Sequence, residues 1–315
     1  MRALVVTNMY PSAERPAFGR FVRDQVEALR RLSGIDVEVF AFAGGAPSAY
    51  LAAARALRRR CGDGRPRFDV VHAHFGLSAW PSFAVGARAR AVTLHGTDLS
   101  HPRSRAITLA ALRRLDLVGA VSAELASRVP PWALRGGVQV EVLPCGVDLE
   151  RFRRIERTVA RGALGLRAEG PYLLFSADPT RSEKRFDLAR ELAESVGAEL
   201  LTLGDVDPER VPLYVNAANA VVAPSEREGF GLATLEALAC DVPVLATPHG
   251  VAPEALAGVE GTLCAPFELE AWRAALGSLV SMRDPRVVGR ERAARWSADA
   301  MARRVADAWA GIISD

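Results

Sequence analysis

The sequence predicts an α/β protein made of two doubly wound, Rossmann-like domains facing across a cleft. Short β-branched or apolar runs alternate with longer amphipathic stretches, the pattern of parallel sheets flanked by helices. That rhythm fills the first half of the chain and restarts after a segment punctuated by Pro144, Gly146 and Asp148. The 315 residues are enough for two domains of ordinary size, each with its own core.

In the first half, strands are expected over residues 3–7, 36–41, 68–72, 90–94, 116–121 and 138–142. Helices are expected over 18–31, 48–60 and 105–114. The second half gives strands over 172–176, 199–203, 220–223 and 243–246 with a short one near Thr262, and helices over 182–196, 230–239 and 269–282. A last helical stretch, 298–312, has no strand after it. The expected division is therefore 1–148 and 149–297, with 298–315 a C-terminal helix that packs back on the first domain. In sheets of this kind ligands bind at the carboxyl ends of the strands, so the cleft is the expected site.

Composition narrows the function classes. Half the residues are hydrophobic and 24% are charged, the balance of a soluble globular protein. No apolar run is long enough to span a membrane, and RALVVTN at the start lacks the pattern of a signal peptide, so a cytoplasmic location is expected. Cys61, Cys145, Cys240 and Cys264 are scattered, which favours reduced thiols. The net charge of +3 does not by itself point to nucleic acid. No G-x-G-x-x-G follows the first strand, and SEKRF around Lys184 is not a P-loop, so dinucleotide oxidoreductases and P-loop enzymes are set aside. Lys184 is the only lysine and every other basic side chain of its class is arginine. That bias reads as codon drift, which makes the surviving lysine a candidate for chemistry that needs a compact ammonium.

The most informative segment is PSEREGFGLATLEALACDVPVLATPHGVAPE, residues 224–254. Glu228 and Gly229 fall on a loop at a strand end, and Gly231 opens a helix that carries Glu236. Backbone N–H groups at that helix start suit a phosphate, and glycines let the backbone approach it. Glu236 has the reach to accept bonds from two ribose hydroxyls, and Glu228 from sugar hydroxyls. His72 and His74 alternate as H-A-H without an acidic third ligand at useful spacing, so strand-end packing and hydrogen bonding are expected of them rather than a metal.

This segment resembles the E-x7-E signature of retaining GT-B glycosyltransferases, in particular glycosyltransferase family 4. The likeness extends over almost the whole chain, through VTNMYPSAERPAFGRFVRDQVEAL, FDVVHAHFG, VTLHGTDL, VLPCGVDLERF and LLFSADPTRSEKRFDLA. It departs at Cys145, where the linker usually has Asn, and at Ala177-Asp178, where Gly-Arg is usual. The resemblance implies a GT-B fold with an acceptor-binding first domain and a nucleotide-sugar-binding second domain. It implies transfer of a hexose-type sugar from a UDP- or GDP-sugar to a glycan, lipid-linked or small-molecule acceptor, with no metal or other cofactor. Donor-binding positions would be Gly19, Gly229, Phe230, Gly231, Leu232 and Glu236, and the catalytic set would be His95, Arg181, Lys184 and Glu228. An epimerase or hydrolase on the same architecture and a non-catalytic sugar-nucleotide-binding module stand as alternatives. Basic clusters at Arg58-Arg59-Arg60 with Arg65 and Arg67, and at Arg103, Arg105, Arg113 and Arg114, read as solvated arginine faces. Peripheral contact with the inner membrane face is the other reading of them.

Overall fold

The structure, a computed structural model, describes residues 1–62, 67–204 and 206–314. Arg65 of the first basic cluster lies outside the described residues. Two compact units result: unit 1 is Met1–Gly146 with Ala298–Asp315, and unit 2 is Val147–Ser297.

Unit 1 runs β1 (Arg2–Thr7), α1 (Arg20–Arg31), β2 (Asp36–Ala41), α2 (Pro47–Cys61), β3 (Phe68–His74), α3 (Ala79–Ser82), β4 (Ala87–Leu94), α4 (Thr97–Ser100), α5 (Pro102–Leu112), β5 (Leu117–Ala120), α6 (Ala123–Ser127) and β6 (Val140–Val142). Its sheet has the order β2-β1-β3-β4-β5-β6 with every pairing parallel. The inner strands are largely buried because both sheet faces are covered, whereas the edge strands β2 and β6 carry Asp36, Glu38 and Glu141. Alternate residues of β1 serve opposite faces. Ala3 and Val5 join Val22, Val26 and Leu29 of α1, while Leu4 and Val6 join Leu57 of α2. The first of these faces also buries the last helix of the chain.

Unit 2 runs α7 (Arg157–Leu164), β7 (Tyr172–Phe175), α8 (Phe186–Ser195), β8 (Glu199–Thr202), α9 (Val211–Ala217), β9 (Ala220–Ala223), α10 (Leu232–Ala239), β10 (Val244–Ala246), α11 (Ala252–Leu256), β11 (Leu263–Cys264), α12 (Leu269–Ser281) and α13 (Arg290–Ala294). The parallel order is β11-β10-β9-β7-β8. Leu173, Phe175, Val222 and Leu245 meet Leu192 of α8 and Trp272 and Leu276 of α12 in one core. The chain then returns to unit 1 as α14 (Ala298–Ser314), whose Ala302, Val305 and Trp309 are buried against α1 and the sheet.

Several expected elements are altered. The helix expected over 182–196 is split: Ser182–Lys184 is a 3-10 turn, Arg185 takes a left-handed φ of 56°, and α8 starts at Phe186. The helix expected to start at residue 18 starts at Arg20, because Gly19 is left-handed at φ 70°. Helices α7 and α9 carried no sequence expectation. Their interiors are held by buried arginines rather than by an apolar stripe alone. Arg157 donates to the carbonyls of Asn216, Ala218 and Pro285, and Arg161 to those of Ala217 and Ala168. These two arginines, which carried no sequence expectation, are interior. Guanidinium planes with five donors satisfy carbonyls that the short helix ends and loops leave without partners.

Candidate functional site

In unit 2 the strand order reverses direction between β7 and β9, and the loops that follow those two strands diverge from one point on the sheet edge. The loop after β7 carries Arg181 and Lys184, and the loop after β9 carries Ser225 and Glu228. Lys184 Nζ lies 2.6 Å from each carboxylate oxygen of Glu228, and Ser225 Oγ donates to Oε1 at 2.8 Å. The two charged side chains are only 13% and 16% exposed. The loops are also pinned by backbone, with Glu226 N donating to Glu183 O at 2.9 Å.

Within the protein, the lysine and arginine pair with different carboxylates. Arg181 points to Glu183 at 2.7 Å and is 55% exposed, whereas Lys184 belongs to Glu228. The 3-10 turn explains the divergence, because it ends at Lys184 and leaves Arg181 outside as its preceding residue.

Three residues beyond Glu228, Gly231 takes φ 86° and starts α10 with no side chain capping the helix. The amides of the first turn therefore meet no side-chain cap, and they lie at the positive end of the helix dipole. Phe230 is buried, and its carbonyl accepts from Val251 N at 2.7 Å, which fixes the loop from Gly229 to Leu232. Glu236 sits half-buried one turn into α10.

In unit 1 the corresponding reversal lies between β1 and β3. Gly19 ends the loop after β1. A Cβ there would overlap the backbone of Met9 and Tyr10, so only glycine fits, and α1 begins without a side-chain cap or an acidic residue in its first turn. Phe21 of α1 lies 4.8 Å from the ring of His95, which brings the start of this helix beside the β4–α4 loop.

His95 is held from two sides. Its Nε2 is 3.1 Å from His74 Nδ1, and the two rings stack. Its backbone N–H donates at 2.6 Å to Asp98 Oδ2, which also accepts from Gly96 N at 3.0 Å, while Oδ1 accepts from Gly76 N. The fully buried Asp98 thus ties the His95 loop to the end of β3. Deeper in the sheet, Trp309 Nε1 donates to His72 Nδ1 at 2.9 Å. An indole can only donate, so His72 carries its proton on Nε2 and gives it to Thr93 Oγ1 at 2.8 Å. Burial drives all three imidazoles toward neutrality: His74 is pushed down to about 3, and His72 and His95 well below the ordinary histidine value. The H-A-H pair does pack and hydrogen-bond, and among the described residues no group of three or more His, Cys, Asp or Glu side chains is arranged to hold a metal ion.

Sequence reasoning missed Asp98, Ser225 and Trp309. Asp98 had a signal of its own: an acidic residue three after His95, in a stretch otherwise apolar or small, is placed to accept loop amides. Trp309 had none, since it meets His72 across 237 residues.

Residues 18–151 match the sequence model of Glycosyltransferase Family 4, and residues 170–300 that of Glycosyl transferases group 1. A D-inositol 3-phosphate glycosyltransferase of Nocardia farcinica is 29% identical over 269 residues, covering 69% of this chain. The match spans 60% of that relative's length, and 64% of two further relatives with the same name. Among solved structures, a sucrose-phosphate synthase of Thermosynechococcus elongatus superposes with a TM-score of 0.74 at 20% identity, covering 99% of both chains. HepE of Anabaena, solved with UDP and glucose, does so with a TM-score of 0.70 at 16% identity, covering 99% of this chain and 100% of its own. The fold is thus that of GT-B proteins.

Proposed function

The chain belongs to glycosyltransferase family 4, and on that premise we propose that it is a retaining hexosyltransferase using a nucleoside-diphosphate sugar. The observation that carries this reading is the Lys184–Glu228 pair beside the uncapped start of α10, at the point where the second sheet reverses its strand order. The backbone from Gly229 to Leu232 would receive the diphosphate, and Glu236 the ribose hydroxyls. Glu228 would hold hydroxyls of the sugar. As the glycosidic bond breaks, the anomeric carbon gains positive charge and the departing diphosphate gains negative charge. Lys184, Arg181 and the dipole of α10 would stabilise the latter, in positions fixed before the reaction begins. The acceptor hydroxyl enters on the face the diphosphate leaves, and a diphosphate oxygen takes its proton, so configuration is kept.

In unit 1, a neutral His95 would exchange hydrogen bonds with the sugar, and Gly19 would bring the start of α1 to the phosphates. The positive charge the reaction needs is supplied by side chains and helix dipoles, so the proposal invokes no metal. HepE was solved with UDP and glucose, which favours a uridine donor among the two nucleotides considered. The acceptor would be a glycan, a lipid-linked saccharide or a small molecule. No helix among the described residues is long and apolar enough to cross a membrane.

The test is incubation with UDP- and GDP-hexoses and a panel of acceptors, followed by proton NMR of the product. A product that keeps the donor's anomeric configuration is expected, and an inverted linkage would refute the retaining mechanism. Donor consumed without acceptor would move the protein to the hydrolase or epimerase reading, and binding without any turnover to the non-catalytic one.

A further inference from the structure

The arginines of unit 1 are not evenly placed. One layer over the sheet includes α2, α3 and α5, with α3 packed against both of the others, and continues into α6, which carries Glu124. The chain segments that supply the first three helices, residues 47–61, 75–88 and 99–115, contain no aspartate or glutamate. The opposite layer, α1 and α14, carries Asp24, Glu27, Asp299 and Asp307 among its arginines. Codon drift adds arginine everywhere, but it does not by itself clear carboxylates from these three neighbouring segments.

Arg55, Arg58 and Arg59 are exposed on α2. Arg103 and Arg105 on α5, and Arg113 and Arg114 just after it, are exposed as well. None of these seven forms an ion pair among the described residues. Some exposed arginines elsewhere in the unit are paired, although Arg15, Arg128, Arg303 and Arg304 are exposed without an ion pair among the described residues. Arg31 holds Asp299 at 2.5 Å and Arg135 holds Asp116 at 2.7 Å.

Large apolar side chains stand among the unpaired arginines. Trp132 is 65% exposed, Leu51 53%, Ile107 45% and Trp80 38%. Trp132 and the α5 residues Pro102, Ala106 and Leu109 line an open groove of about 530 Å³ with Arg105 at its side. Backbone contacts steady this arrangement: Trp80 Nε1 donates to Ile107 O at 3.1 Å, and Arg113 to Trp132 O at 3.3 Å.

We propose that this α2–α3–α5 layer of unit 1 docks onto an anionic lipid bilayer. Indoles and aliphatic side chains suit the boundary between headgroups and acyl chains, while guanidiniums on apolar stems stay level with the lipid phosphates. Basic side chains without acidic neighbours keep their full attraction for an anionic surface. A nucleic acid would match the charge, but it gives Leu51, Ile107 and an apolar groove nothing to bury. The proposal does not depend on the transfer reaction, and its test reads lipid association alone.

The experiment is flotation of the full chain with vesicles of phosphatidylcholine, with and without phosphatidylglycerol. Partition into the anionic vesicles is expected to be at least tenfold stronger than into neutral ones, and to fall at least tenfold between low and high salt. The combined Arg103→Gln, Arg105→Gln, Arg113→Gln and Arg114→Gln variant should lose binding to a similar extent. Arg303→Gln with Arg304→Gln, on the opposite layer, should not. Anionic vesicles should shift the tryptophan emission of the wild type to the blue, and Trp132→Ala should reduce that shift. The proposal is overturned by no partition into anionic vesicles, by equal partition into neutral ones, or by equal loss in the α14 variant. Tighter binding to a duplex oligonucleotide than to the vesicles overturns it as well.

Discussion

Replacing Glu228 by glutamine should tighten the binding of a bare nucleoside diphosphate while slowing transfer. In the free protein the Glu228 carboxylate occupies Lys184, with both oxygens 2.6 Å from Nζ, in surroundings that leave the pair 13% and 16% exposed. A diphosphate that recruits Lys184 must compete with this carboxylate and sit near its charge. One pair of like charges about 6 Å apart repels by roughly 3 kcal/mol at an effective dielectric constant of about 20. Glutamine keeps the shape and the Ser225 hydrogen bond but removes the charge. Allowing for solvent screening, about 1.4–2.8 kcal/mol should be recovered, a ten- to hundredfold lower Kd. Calorimetry with UDP and GDP measures this directly, and the Glu228→Gln, Lys184→Met double variant should cancel the gain. An unchanged or higher Kd for Glu228→Gln would refute the argument that Lys184 is the diphosphate's cation.

Lys184→Arg should lower turnover roughly tenfold or more, about 1.4 kcal/mol, because a guanidinium grips the Glu228 carboxylate bidentately and is too broad to approach a diphosphate oxygen as a compact ammonium does; wild-type steady-state rates would count against it. Arg157→Lys should destabilise the protein by about 2–4 kcal/mol in urea unfolding, since this 2%-exposed guanidinium serves four carbonyls and Asp284, which a single ammonium cannot all reach. The imidazoles of His72, His74 and His95 have folded-state values below the unfolded one, so the unfolded chain binds more protons as pH falls below about 6.5. Their contribution is complete above that pH and is lost on acidification. For His74, with a folded value of about 3, the loss at pH 5 is about 2 kcal/mol. Urea midpoints at pH 7 and pH 5 should show this loss, His74→Gln should shrink it, and equal midpoints for the wild type would overturn the reasoning.

The sequence by itself determined the alternation of strands and helices, the restart of that pattern after Pro144, and the loop and helix that hold Glu228, Gly231 and Glu236. These features are local. A doubly covered parallel strand is largely apolar, and a left-handed helix start favours glycine, as at Gly19 and Gly231, so both leave a mark within a few residues. The tertiary structure alone decided which charges meet. Lys184 finds Glu228 across 44 residues, while Arg181 turns to Glu183 two residues away. It also decided that Trp309 fixes the proton on His72, and that Arg157 and Arg161 are interior props rather than solvated surface. The same residue type gives buried keystones in α7 and exposed arginines without ion pairs on α2 and α5. The difference lies in the partners each side chain meets after folding, because electrostatic and hydrogen-bond energies depend on separation and burial in space, and neither is written in the order of residues along the chain.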